Sequence, residues 1–182
     1  MREKLEQAVW WDYLENDLKE LLMQSVLLWE TAVKWQEKLA TKKKGFHDYA
    51  FIVFPAAKAY EGFLKTLFLD MGFITKKEYQ GKRIRIGKAL NPTLYQQEIK
   101  KNTRYVRLRK KISVYDKIIE YCGGPYLADV LWTTWKECRN MLFHWYPSEK
   151  NAIDFDEAES RVMQIINTMN LAFKECKINY TK

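Results

Sequence analysis

Between His47 and Gly72 the chain runs with little polar relief: Ala50, Phe51, Ile52, Val53, Phe54, Ala56, Ala57, Phe63, Leu64, Leu67, Phe68 and Leu69. At 3.6 residues per turn these positions go nearly all round a helix, leaving it no proper solvent face. Such a helix has to be wrapped by other elements, so the segment predicts the centre of a helical bundle. Its longest uncharged run, Tyr49 to Ala57, is far short of the ~20 apolar residues a bilayer requires. Pro55 cannot donate a backbone hydrogen bond and predicts either a kink or a new helix with Pro55 in its first turn.

The flanking segments carry matching stripes. Lys4 to Leu39 is helical in pattern but too long for one straight helix in a bundle, at ~1.5 Å per residue. A break is expected near Asn16, where Asp17 and Glu20 resemble a capping box. Beyond it Leu18, Leu21, Leu22, Ser25, Val26, Trp29, Ala32 and Val33 recur at three and four. Trp10 and Trp11 precede the break and either fold back on the core or face a partner. Ile112 to Ile119 resumes an apolar stripe that stops at Cys122-Gly123-Gly124-Pro125. A helix then runs from Tyr126 to Tyr146, and a last one opens at Asp154, with Glu157 placed to reciprocate the cap. Its stripe is Ala158, Val162, Ile165, Ile166, Met169, Ala172, Phe173 and Cys176. The fold class expected is an all-α antiparallel helical bundle, a single domain over residues 1–182. Residues 1–45 form an N-terminal helical extension and residues 74–111 a basic insertion. A chain of 182 residues with 7 Trp, 11 Tyr and 9 Phe can fill such a core without disulfide or metal staples.

The net charge of +8 is unevenly placed: Lys76 to Lys111 holds 13 Lys or Arg against 2 Glu, a local +11, and the rest sums to −3. So concentrated a field fits a polyanion, nucleic acid first, with a solvated segment that keeps the chain soluble as the plainer reading. Lys82, Arg83, Arg85, Arg104 and Arg107 are the RNA-binding candidates, and Tyr105 among them offers a surface for unpaired bases. The 3 cysteines, Cys122, Cys138 and Cys176, form no C-x-x-C pair, and a reducing cytoplasm is the simplest home. The charged start argues against a secretory signal, and a soluble protein that does not enter the membrane is expected. With two histidines, His47 and His144, and no Gly-rich loop after a strand, no metal site and no cofactor is expected.

Phased at about 100° per residue, the Tyr126–Tyr146 helix puts Leu127, Val130, Leu131, Thr134, Trp135, Cys138, Met141, Leu142 and Trp145 on a core stripe. The opposite face carries Arg139, Asn140, Phe143 and His144, with Trp132. A solvated face has no need of Trp132 and Phe143, which makes them candidates for a dimer interface. Arg139-Asn140-x3-His144 is similar to the R-x4-6-H motif of HEPN-domain ribonucleases. On the central helix Lys58, Glu61 and Lys65 lie three and four apart, which alone reads as a Glu–Lys ladder facing water. The stretch Ala59-Tyr60-Glu61-Gly62-Phe63-Leu64-Lys65-Thr66-Leu67-Phe68 resembles the corresponding helix in the HEPN domain of RnlA-type toxins, the RNase LS group, where a Glu accompanies the Arg and His. Gly62 would permit close approach of another backbone or of RNA.

The resemblance covers roughly Asp48 to Lys177 apart from the basic insertion, which departs from the family pattern. It implies a metal-independent endoribonuclease working as a homodimer, with RNA as substrate and a cognate antitoxin protein as partner, in a toxin or phage-defence role. In that setting the substrate 2′-OH attacks the adjacent phosphate, leaving a 2′,3′-cyclic phosphate. His144 is the general base or acid, Arg139 the phosphate clamp, Asn140 an orienting group, and Glu61 orients Arg139 or moves the second proton. A regular helix separates Arg139 from His144 by about 140°, which from the sequence favours a dimer to bring two motifs to one phosphate. The alternatives are a non-catalytic HEPN-like module binding RNA or protein, and a partner of a nucleotidyltransferase.

Overall fold

The computed structural model describes residues 1–39, 45–81, 84–92, 113–144, 147 and 151–176, and every regular element among them is helical. In chain order these are α1 (Arg2–Glu6), α2 (Asn16–Leu39), α3 (Ala50–Asp70), α4 (Lys76–Gln80), α5 (Ile86–Ala89), α6 (Val114–Cys122), α7 (Tyr126–Trp135) and α8 (Phe155–Glu175). A single π turn, Lys136–Asn140, continues α7. The all-α expectation holds.

Helix α3 is central, as its composition requires: α2 packs along one side of it and α8 along another, while α7 lies against α8. Ile52, Val53, Ala56, Ala59, Tyr60, Phe63, Leu64, Leu67 and Phe68 are all buried, each large side chain contributing roughly 1.5–3 kcal/mol of burial. Pro55 neither starts a new helix nor ends one; α3 runs unbroken through it. Near the proline, the buried Ser25 hydroxyl of α2 donates to the Ile52 carbonyl and ties α2 to α3. The Tyr60 hydroxyl donates to the Leu131 carbonyl at 3.1 Å and so ties α3 to α7.

Three expectations are refined. The N-terminal extension folds back on the core, one of the two alternatives left open for Trp10: Leu5, Trp10, Tyr13 and Leu14 are buried, and Trp10 Nε1 donates to Asn170 of α8 at 2.6 Å. The break expected near Asn16 is present, but the Glu15 carbonyl already accepts from Lys19 N–H, so Asp17 sits inside the first turn of α2 rather than at its cap. The basic insertion is not wholly separate from the core either, since Ile74, Ile86 and Leu90 are buried. Apolar side chains at its start outweigh the surrounding charge in deciding where it lies.

Other helix ends follow local chemistry. Thr75 and Glu78 form a capping box on α4, and Gly123 ends α6 at φ 69°, a left-handed conformation that glycine adopts without strain. Asp154 accepts from Glu157 N–H at 2.8 Å at the start of α8, as expected, but the Glu157 carboxylate goes to Arg161 at 3.0 Å instead of returning to the cap. All eight expected stripe residues, Ala158 to Cys176, are buried.

Candidate functional site

The helix expected to run to Tyr146 keeps α-geometry only to Trp135. It then widens: Met141 N–H reaches back five residues to the Lys136 carbonyl at 2.9 Å. Single π turns of this kind cost regular hydrogen bonding and are kept where packing demands them. Here the demand comes from α8. Arg161 donates from Nη1 to Glu137 at 2.9 Å and from Nη2 to Glu157 at 3.0 Å, and Gln164 Nε2 donates to the same Glu137 oxygen at 2.9 Å. Cys138 lies buried in this contact, 3.4 Å from Gln164 Oε1, and burial pushes its thiol up to about 12.

After the π turn the chain passes through Met141–Phe143 in turn conformation and bends at His144. Asn151 holds this exit, its Nδ2 donating to the His144 carbonyl at 2.7 Å and to the Met141 carbonyl at 3.1 Å. Past Trp135 a wheel drawn at about 100° per residue still places Cys138 and Leu142 in the core, where both are buried, but it misplaces Met141, which is 39% exposed.

The consequence for the motif is direct. Arg139 and His144 line one groove of about 780 Å³, together with Glu61, Lys65, Phe54 and Phe143. The groove runs between α2 and α3 and is closed by the π turn. A regular helix would have turned the two motif side chains about 140° apart; the irregular one lets a single chain present both. The geometric case for a dimer is thereby removed.

Glu61 sits between two cations. Its Oε2 is 3.4 Å from Arg139 Nε and its Oε1 is 3.1 Å from Lys65 Nζ. Of the Glu–Lys ladder read from the sequence the Glu61–Lys65 step is present, while Lys58 lies over the Phe54 ring, and Arg139 extends the pairing across to the motif. Behind Arg139 its guanidinium carbon lies 5.8 Å from the Trp135 ring centroid, within cation–π range. Trp135 stacks on Trp132 at 5.6 Å and 14°, and a Cβ placed on Gly87 of α5 would meet Trp135 Cη2 at 2.1 Å. Only glycine lets α5 approach so closely.

The two residues expected at a dimer interface are packed within the chain. Trp132 lies on Trp135, and Phe143 meets Phe54 edge to face at 5.3 Å. The contact expected of Gly62 is with a side chain: a Cβ there would meet Leu18 of α2 at 2.5 Å. Asn140 is half-buried and does not line the groove. Arg85 is exposed just before α5, while Lys82, Arg83, Arg104, Tyr105 and Arg107 lie outside the described residues.

Trp135, Asn151, Arg161 and Phe54 were not singled out from the sequence for the site. Trp135 sat on the expected core stripe, and Arg161 reads as an ordinary charge on α8, because their roles depend on neighbours distant in the chain. Among the described residues no helix is long and apolar enough to cross a membrane. No family model, no curated protein and no solved structure matches the chain.

Proposed function

We propose that this chain is a metal-independent endoribonuclease of the HEPN type. The observation that carries the reading is the groove shared by Glu61, Arg139 and His144, contributed by α3, the π turn and the bend that follows it. Those are the residues that the resemblance to HEPN ribonucleases marks as catalytic.

In this reading a ribose 2′-oxygen attacks its own 3′-phosphate. The 2′-O–P bond forms, the P–O5′ bond breaks, one proton leaves the 2′-OH and one reaches the departing 5′-oxygen. His144 moves a proton, its imidazole offering one nitrogen to donate and one to accept. Arg139 offsets the charge that grows on the non-bridging oxygens. Glu61 orients the guanidinium through their contact at 3.4 Å. Asn140 acts at most through the turn it belongs to. The basic segment supplies the phosphate contacts outside the groove, and a toxin or defence role with a cognate antitoxin protein follows the resemblance. The homodimer also follows it, as an assembly state rather than as the means of bringing Arg139 and His144 together.

The test is cleavage of single-stranded RNA in EDTA with analysis of the ends. Cyclic 2′,3′-phosphates, lost in Arg139→Ala and in His144→Ala with the helical circular dichroism unchanged, are expected. Cleavage that needs added Mg²⁺, or that survives both substitutions, overturns the reading. RNA binding without cleavage would instead favour the non-catalytic module.

A further inference from the structure

The two walls of the groove are oppositely charged. Along the α3 and π-turn wall stand Lys58, Lys65 and Arg139 with Glu61 as their one carboxylate; along the α2 wall stand Asp17 and Glu20. Both α2 carboxylates are exposed. A polyanion lying lengthwise with phosphates on both sides would be repelled by α2. A ligand that suits the groove needs an anionic edge toward α3 and a hydrogen-bond-donating edge toward α2.

Between the walls lies an apolar surface. Phe54 is 50% exposed although it touches Phe143 edge to face, and Lys58 Nζ lies 5.9 Å from its ring centroid. An aromatic ring half open to solvent, inside a groove with cations on one side, suits a flat π-system. Unpaired nucleotides combine all three properties: phosphate, flat base, and in adenine and cytosine an exocyclic amine that donates hydrogen bonds to carboxylates.

We infer that the groove holds one unpaired nucleotide, its base on Phe54, its phosphate against Arg139 and Lys65, and its exocyclic amine turned to Asp17 and Glu20. The inference rests on the reading of this groove as the RNA site and adds to it a substrate class. The nucleotide at the groove must be unpaired, because a base in a duplex cannot leave its stack to lie on Phe54 without the cost of unpairing. Amino-bearing bases are preferred over uracil and hypoxanthine, which place a carbonyl oxygen where the amine would stand and would turn it to the carboxylates.

The experiment uses the full chain and short RNAs that differ at one central nucleotide: cytidine, uridine, adenosine, inosine or an abasic ribose. Binding is read by fluorescence anisotropy and cleavage by end analysis. Wild type is expected to bind cytidine over uridine and adenosine over inosine by about tenfold, and the abasic RNA most weakly. Phe54→Ala should bring the four bases close to the abasic level without changing abasic binding. Glu20→Gln with Asp17→Asn should erase the preference for amino-bearing bases and leave binding of uridine at least as tight. Equal binding of all five RNAs by wild type overturns the inference, as does a Phe54→Ala loss that is the same for the abasic RNA, which would make Phe54 a structural support for Phe143. These outcomes are separable from the catalytic reading. Cleavage in EDTA with no base preference keeps the ribonuclease and removes the nucleotide cleft; base preference without cleavage does the reverse.

Discussion

Glu61 Oε2 and Arg139 Nε are 3.4 Å apart, joining the central helix to the π turn across the floor of the groove. Both side chains remain partly exposed, so the pair is solvent-screened and contributes at most ~1 kcal/mol to stability. Its importance is positional: in the proposed ribonuclease reading the carboxylate occupies the guanidinium that an incoming phosphate would need.

Glu61→Gln is therefore expected to leave the unfolding midpoint almost unchanged while tightening RNA binding several-fold. Two cations, Arg139 and Lys65, lose their common counter-charge, and the dependence of affinity on salt should steepen as more counterions are released. Titrations from low to moderate salt, with wild type and variant side by side, measure both. Because the variant also loses the group that orients Arg139, its rate of cleavage at saturating RNA should fall.

Gly87→Ala tests the support behind Arg139. The added methyl meets Trp135 at 2.1 Å, and overpacking of this kind costs ~1–3 kcal/mol. Calorimetry should show a lower Tm, with cleavage reduced further than the loss of folded protein explains, since a displaced Trp135 moves the cation it supports.

Arg161→Ala removes a contact that holds Glu137 of the π turn to α8, together with an intrahelical bond to Glu157. The side chain is about a quarter exposed, and a loss of roughly 1–2 kcal/mol is expected after allowing for solvent screening. With one of its two α8 anchors gone, and only Gln164 left on Glu137, the π turn shifts toward α-geometry, and Arg139 and His144 move apart. Kinetics should show a fall in kcat and, because Arg139 also faces the phosphate in the proposed reading, some loss of RNA affinity. An unchanged kcat would mean that the turn holds its shape without Arg161.

Alkaline pH should destabilise the fold well before any arginine titrates. Burial pushes the thiols of Cys138 and Cys176 up to about 12 and also raises the phenol of Tyr60. Each is held neutral in the folded chain and ionises more readily when unfolded. Their stabilisation is complete below the ordinary thiol range and declines as pH rises through about 9 toward 12, by ~1.4 kcal/mol per pKa unit for each group. Urea midpoints should be equal at pH 6 and 7, lower at pH 9 and lower again at pH 10.5. For the same reason iodoacetamide at pH 8 should label Cys122, the exposed thiol, and spare the other two.

Dilution separates assembly from catalysis. Since one chain brings Arg139 and His144 to one groove, specific activity should stay constant on dilution through any dimer dissociation seen by sedimentation. Activity that falls in step with the dimer would return a catalytic role to the partner chain.

Much of the bundle was legible in the sequence because helix periodicity is a local property. The apolar run of α3 dictates a central helix, the eight-residue stripe of α8 faces the core as read, and Gly123 and Asp154 mark ends through backbone and capping preferences that involve only near neighbours. The pairing of Glu61 with Arg139 and His144 as candidates was legible too, through the resemblance of two short motifs. What the sequence could not determine was the shape of the chain between Trp135 and His144. That shape depends on Arg161 and Gln164 of α8 and on Asn151, which satisfy a widened turn and hold its exit. Without such distant partners a regular α-helix would be the lower-energy choice, and the wheel drawn from it would have been right. Long-range hydrogen bonding overrode local propensity here, so only the tertiary structure decided that Arg139 and His144 share one groove, and that Trp132 and Phe143 have partners within the chain.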